Sequence, residues 1–183
     1  MKYKVTFLDY WHLSSGLSAG AKLDSTVTRD ENGLPYIPGK TIKGLIREMV
    51  ELTKNFDFVT KCFGSSSDEK DEFYYEEKIV GECNFSNVEI EENTRKFIIQ
   101  EKLQNQLFDE IASTKIDENG IAKSGSLREI EVVVPLSLYG EIKNIPDEYK
   151  QEMIKALKKV KRMGLNRNRG LGRCVVEIEG EGK

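Results

Sequence analysis

The chain has 183 residues, of which 38% are hydrophobic and 32% charged, with a formal net charge of −3 at pH 7. That length suits one domain with insertions, and no apolar stretch approaches the roughly 18 residues that cross a bilayer, so a membrane-spanning helix is excluded. The three cysteines, Cys62, Cys83 and Cys174, are odd in number and form no Cys-x-x-Cys pair, which argues against a disulfide framework and for a reducing, cytoplasmic setting.

The elements follow in chain order. Lys2–Tyr10 alternates Tyr3, Val5 and Phe7 with polar neighbours, the period of a half-buried strand, with no apolar signal-peptide core behind it. Ser14–Gly39 is a long polar stretch punctuated by glycines, Pro35 and Pro38, and loops of this length are usually functional. Within it, Asp30 followed by Asn32-Gly33 has the chemistry of a turn. From Thr41, read as a helix cap, Ile42, Leu45, Ile46, Met49, Val50 and Leu52 keep helical spacing to about Lys54. Lys78–Ile90 reads as strand. Thr94–Ser113 reads as helix through Phe97, Ile98, Leu103, Leu107 and Ile111. Lys115–Ser126 is a polar excursion with Asn119-Gly120 and Ser124-Gly125, a hairpin or a mobile arm. Leu127–Lys143 is strand broken at Pro135, Asp147–Met163 an amphipathic helix, and Cys174–Glu179 a closing strand. Strand, helix, strand, strand, helix, strand is the order of an α+β, ferredoxin-like (RRM-like) fold: an antiparallel sheet with two helices on one face. One domain is expected over 1–183, with insertions at about 56–77 and 92–126.

Charge is concentrated at the carboxy-terminal end. Lys155, Lys158, Lys159, Lys161, Arg162, Arg167, Arg169 and Arg173 follow one another with no acid between Glu152 and Glu177. The last of them alternate with Gly164, Gly170 and Gly172. Glycine lets a backbone approach a bulky ligand, and the arginine fork suits phosphate oxygens and stacks on bases. A localised basic loop in a slightly acidic chain marks a binding surface for a polyanion, and a nucleic acid is the best candidate. The plain alternative is a solvated helix face followed by a glycine-rich turn.

A second basic segment opens the first helix. Lys40, Lys43 and Arg47 share one helical face, and the amides at a helix start favour an anion. Gly44 in mid-helix costs about 1 kcal/mol against alanine, which points to close approach of another backbone, either the sheet or RNA. The full Walker spacing is absent, so this is not a nucleotide-hydrolysing loop. His12, the sole histidine, is either an RNA contact, a hydrogen-bonded residue near the loop, or a general acid–base. A zinc cluster of the three cysteines with His12 is a remote further reading. Trp11 and Tyr36 either stack on bases or belong to the core.

These segments carry a family likeness. Gly33-Leu-Pro-Tyr-Ile-Pro-Gly39 followed by Lys40–Arg47 resembles the signature of the RAMP superfamily of CRISPR-associated proteins, whose first helix opens on a proline–glycine turn and carries a Lys-Gly-x-x-Arg pattern. Gly164–Arg173 is similar to the family's carboxy-terminal glycine-rich loop, and Cys62-Phe-Gly64 to the Leu-Phe-Gly that follows the first helix. Lys115–Lys123 and Leu127–Glu131 resemble the inserted arm and following strand of type III backbone subunits.

The resemblance implies a subunit that holds guide RNA within a type III-like CRISPR effector, with guide RNA, target RNA and other RAMP-type subunits as partners and no membrane. RNA contacts are expected from Lys40, Lys43, Arg47, Arg167, Arg169, Arg173, Gly164, Gly170, Gly172 and His12. In target-cleaving relatives an aspartate upstream of the Pro-x-Ile-Pro-Gly signature is required for cleavage, and Asp24 stands at the matching point. That implies a catalytic Asp24 holding a divalent cation, Mg or Mn, beside the scissile phosphate. A guide-processing endoribonuclease and a non-catalytic structural subunit are the alternatives.

Overall fold

The structure, a computed structural model, describes residues 1–16, 23–66 and 75–180. Part of the long Ser14–Gly39 loop and part of the insertion expected at 56–77 therefore lie outside the described residues.

The central strand β1 (Lys2–Phe7) pairs antiparallel on one side with β5 (Ser137–Lys143) and on the other with β6 (Cys174–Ile178). Short β2 (Asn84–Phe85) adds to the outer side of β5, which gives the order β2-β5-β1-β6. The alternation in β1 has its expected effect: Tyr3, Val5 and Phe7 are buried together with Leu138, Ile142, Cys174 and Val176. Helix α1 (Gly39–Glu51) adds Ile42, Ile46 and Val50 to this core, and α4 (Lys150–Lys159) adds Met153, Ala156 and Leu157. Full burial of each such aliphatic side chain stabilises the fold by roughly 1.5–3 kcal/mol. With α1 between β1 and β2, and α4 between β5 and β6, the sheet is ferredoxin-like. Gly140 lies opposite Tyr3, where a Cβ would come within 2.6 Å of the phenol oxygen; only glycine admits that ring between the strands.

Two insertions ride on this plan. Between α1 and β2 stands α2 (Phe56–Phe63), started by Asn55, whose side-chain oxygen accepts the Phe58 amide at 3.1 Å. Between β2 and β5 come α3 (Glu92–Gln100) and a separate antiparallel pair, β3 (Phe108–Ser113) with β4 (Arg128–Val133).

The structure departs from the sequence reading at four places. The helix expected over Thr94–Ser113 stops at Gln100, because Lys102 takes a left-handed φ of 55° and Phe108–Ser113 is claimed as a strand by β4. The strand expected over Lys78–Ile90 contracts to Asn84–Phe85, with isolated bridges at Val80, Val88 and Glu89. Helix α1 begins at Gly39, ahead of Thr41, after Pro38 and without a side-chain cap. The Asp147–Met163 segment is helical only over Lys150–Lys159, after a single 3-10 turn, and Val160 is already extended. The break at Pro135, between β4 and β5, lies where the sequence places it.

Candidate nucleic-acid interface

Two segments far apart in sequence build a basic concavity. The arm between β3 and β4 closes as a hairpin: Asp117 holds the turn by accepting the Asn119 and Ile121 amides, each at 2.9 Å, and the Lys123 amide reaches the Lys115 carbonyl at 2.8 Å. At its base, Ser126 accepts the Lys115 amide at 3.0 Å and lies 2.9 Å from the Thr114 hydroxyl. Facing this base is the glycine-rich loop, and between them opens a groove of about 600 Å³. It is lined by Lys115, Lys123, Arg128 and Arg169 with Ser113, Thr114 and Ser126, and among the described residues no carboxylate lines it. Four cations around hydroxyl groups form a site for phosphates.

The glycine loop is held at a neck. The Met163 amide donates to the Gly172 carbonyl at 2.9 Å, the Gly172 amide to the Tyr10 carbonyl at 2.8 Å, and the Leu165 amide to the His12 carbonyl at 2.9 Å. A Cβ on Gly164 would strike the His12 carbonyl oxygen, and one on Gly172 the Met163 carbonyl oxygen; φ is +90° and +70° at these positions. Gly164 and Gly172 are therefore set by the protein's own backbone. Gly170, at φ +93° with open space around it, is the glycine of the three that faces outward. The loop arginines divide in the same way. Arg169 is exposed and lines the groove. Arg167 approaches Glu48 at 4.0 Å, and Arg173 grips Asp9 through two bonds of 3.0 and 3.2 Å. Arg162 braces the loop from behind by donating to the Arg167 carbonyl at 2.7 Å.

On α1 the three basic residues do not act together. Lys40 is exposed, while the Arg47 guanidinium is turned onto Glu51, one turn along, and the Gly64 carbonyl at the end of α2. The helix start is not open to an anion: the Gly39 amide donates to Asn87 Oδ1 at 2.9 Å, and Gly39 is buried against the Phe85 and Ser86 carbonyls. Gly44 is exposed and a Cβ there would meet nothing within 4 Å, so the sheet is not the backbone that approaches it.

Asp24 lies beside the groove. Its segment runs along β4: the Asp24 amide donates to the Glu129 carbonyl and the Glu129 amide to Asp24 Oδ2, both at 2.9 Å, while Ser25 bridges Ile130. Asp24 is thereby fixed next to groove-lining Arg128, exposed, with Oδ1 without a partner among the described residues. Asp30 has a different part: Oδ1 accepts the Asn32 and Leu34 amides, and Oδ2 pairs with Arg95 at 2.8 Å, so it organises a turn.

His12 is fully buried, so its side chain does not reach the groove. One ring nitrogen, Nδ1, meets the Glu131 carbonyl, which can only accept; Nδ1 therefore carries the proton, and Nε2 lies 3.0 Å from the Ser25 hydroxyl. The imidazole thus ties β4 to the segment that carries Asp24. An ion pair between exposed Arg29 and buried Glu131 pins the same segment, and Glu131 Oε2 also accepts the Val27 amide at 2.9 Å. Trp11 is core: its ring stacks on Phe7 with centroids 4.4 Å apart. Cys62 and Cys83 meet, whereas Cys174 lies elsewhere against the Val160 carbonyl, and no group of three or more His, Cys, Asp or Glu suited to a metal occurs among the described residues. Arg128 was not singled out in the sequence. Its one signal is position, as the first residue of the strand that follows a basic arm.

No curated protein matches the sequence. Among solved structures, the fold is similar to a chain of a Type III-B Cmr-beta complex bound to cognate target RNA, with a TM-score of 0.68 at 12% identity, over 96% of this chain and 95% of that one. It is also similar to a chain of the apo Type III-B Cmr-beta complex, with a TM-score of 0.66 at 13% identity, over 98% and 97% of the two chains. The family model of the RAMP superfamily matches residues 4–175, from the first strand through the glycine loop into the last strand. With the sheet, the proline–glycine helix start and the necked glycine loop all inside that match, the chain belongs to the RAMP superfamily.

Proposed function

We propose that the protein is an RNA-binding subunit of a type III CRISPR effector complex, with guide RNA, its paired target and other RAMP-type subunits as partners. The observation that carries this reading is the groove between arm and glycine loop, where Lys115, Lys123, Arg128 and Arg169 converge with no carboxylate among the described residues that line it. Such a site grips backbone phosphates and leaves sequence to base pairing. Replacing all four by Gln tests it. RNA affinity should fall and its salt dependence flatten, by about 0.7 log units per decade for each lost single-strand phosphate contact. An unchanged slope removes the groove from the interface.

Asp24 is the residue we assign to cleavage of the paired target. Its Oδ2 is occupied by the Glu129 amide, which leaves Oδ1 for a ligand. Among the described residues Asp24 belongs to no cluster of three or more ligating side chains, so a Mg²⁺ or Mn²⁺ ion held there would take most of its oxygens from RNA and water. Bound there, the ion would neutralise charge at the scissile phosphate. The chain's part is to fix the carboxylate against β4 beside Arg128, within reach of a strand lying in the groove. The ribose 2′-hydroxyl would lose its proton and attack the adjacent phosphorus while the bond to the 5′-oxygen breaks, leaving a 2′,3′-cyclic phosphate and a protonated 5′-hydroxyl. Burial of His12 weighs against a guide-processing enzyme that uses it as general acid–base.

A further inference from the structure

Cys62 and Cys83 meet behind α1, outside the RNA groove. Cys62 is the penultimate residue of α2, and Cys83 immediately precedes β2. The Cys83 amide donates to the Cys62 carbonyl at 3.2 Å, the Glu82 amide to the Lys61 carbonyl at 2.8 Å, and the two buried thiols lie beside each other. Glycines lock the two segments together: a Cβ on Gly81 would lie 2.5 Å from the Cys62 carbonyl oxygen and 2.7 Å from the Gly64 nitrogen. Main chains that meet in a hydrogen bond bring two cysteines toward the separation of about 4.4–6.8 Å at Cα that a disulfide bridges.

The two thiols are not equivalent. Contact with Cys83 and burial raise the pKa of Cys62, so it keeps its proton. The Cys83 thiol lies 3.7 Å from the Asn144 carbonyl oxygen, and contact with Cys62 and the charge of Lys43 nearby lower its pKa despite burial and Glu82. Cys174 is the internal contrast: it is buried without a thiol partner, and burial pushes it up to about 11.

We propose that Cys62 and Cys83 form a redox site in which a peroxide converts the pair to an intramolecular disulfide. The Cys83 thiolate attacks one peroxide oxygen; the S–O bond forms, the O–O bond breaks, and the departing hydroxide is protonated to water. Cys62 then attacks the Cys83 sulfur, the S–O bond breaks, and the hydroxyl leaves as a second water with the Cys62 proton. Two thiols and one hydrogen peroxide thus give one disulfide and two waters. The bond fastens the end of α2 to β2 and removes the sulfur charge beside Lys43.

The test treats the folded wild-type protein with hydrogen peroxide, alkylates the remaining thiols after denaturation, and maps the digest by mass spectrometry. The expected result is a Cys62–Cys83 peptide that dithiothreitol reverses, a higher Tm while the bridge persists, and a Cys174 that stays alkylatable. Cys83 should be consumed at least about tenfold faster than Cys174, following thiolate character. In Cys62→Ser, with folding checked by circular dichroism, Cys83 should halt as a sulfenic acid that dimedone captures. The proposal is overturned if Cys62 and Cys83 both stay alkylatable under peroxide that oxidises Cys174, or if any bridge formed joins two chains.

Discussion

The two basic segments of the chain look alike in sequence and behave differently in the fold. On α1, Arg47 is only 19% exposed and its guanidinium serves Glu51 and the end of α2, while the helix start is sealed by Phe85, Ser86 and Asn87. In the glycine loop, the arm and the start of β4, Arg169, Lys115, Lys123 and Arg128 are all exposed around a groove. Positive charge marks a binding surface only where the protein has not already used it. An arginine with a carboxylate one turn away is as well suited to an internal tie as to a phosphate.

Four predictions bear on this comparison. The largest concerns the loop neck: Gly172→Ala forces a Cβ into the Met163 carbonyl at a φ of +70° and should destabilise the protein by about 3 kcal/mol, read from urea unfolding. Gly170→Ala, in open space, should cost only the strain of its φ. Equal losses at the two sites would contradict the neck.

The second crosses the two segments. Arg47→Ala should lower stability by about 1–2 kcal/mol and leave the salt dependence of RNA binding unchanged, whereas Arg169→Ala should leave stability within about 0.5 kcal/mol and flatten that dependence. The reverse pattern would exchange their roles. Third, Gly44→Ala should stabilise the free protein by about 1 kcal/mol through helix propensity, because nothing stands where the new methyl goes. The same substitution should weaken RNA binding if a nucleic-acid backbone approaches that helix face. Stabilisation with unchanged binding would remove α1 from the interface.

The smallest effect is a pH dependence outside the interface. Glu91 caps α3, and the Thr94 and Asn93 amides hold its carboxyl below the ordinary 4.5. A carboxyl depressed in the folded state stabilises above its unfolded pKa, and that contribution is lost as pH falls through the folded value. Melting temperature should therefore fall less between pH 7 and pH 3 in Glu91→Gln than in the wild type. An identical fall in both would show that the cap carries no charge-dependent stability.

The sheet was legible because local pattern and tertiary role agree there. Tyr3, Val5 and Phe7 alternate, Ile42, Ile46 and Val50 recur each helical turn, and Pro135 breaks a run of strand residues where two strands are needed. Reading failed where a distant partner decides. Phe108–Ser113 continues an apolar spacing that suits a helix, yet β4, beyond the arm, pairs with it residue by residue. The family likeness found the glycine loop, but not that Gly164 and Gly172 answer to the protein's own carbonyls, because those belong to Met163 and His12 in a contact made only after folding. His12 carried no sign of burial either. Its fate depends on Glu131 and Ser25, one of them more than a hundred residues away.

The neck has one more consequence. Because the neck is closed by Met163, Leu165 and Gly172, the residues between Leu165 and Gly172 form a lasso whose length the sheet does not register. Doubling such a loop costs only about 0.6 kcal/mol of closure entropy, so insertions there are cheap while the knot holds. Arg167 and Arg169 can thus be moved outward or inward by lengthening or trimming the lasso, and reach toward a ligand becomes a trait that evolves, or can be engineered, independently of the ability to fold.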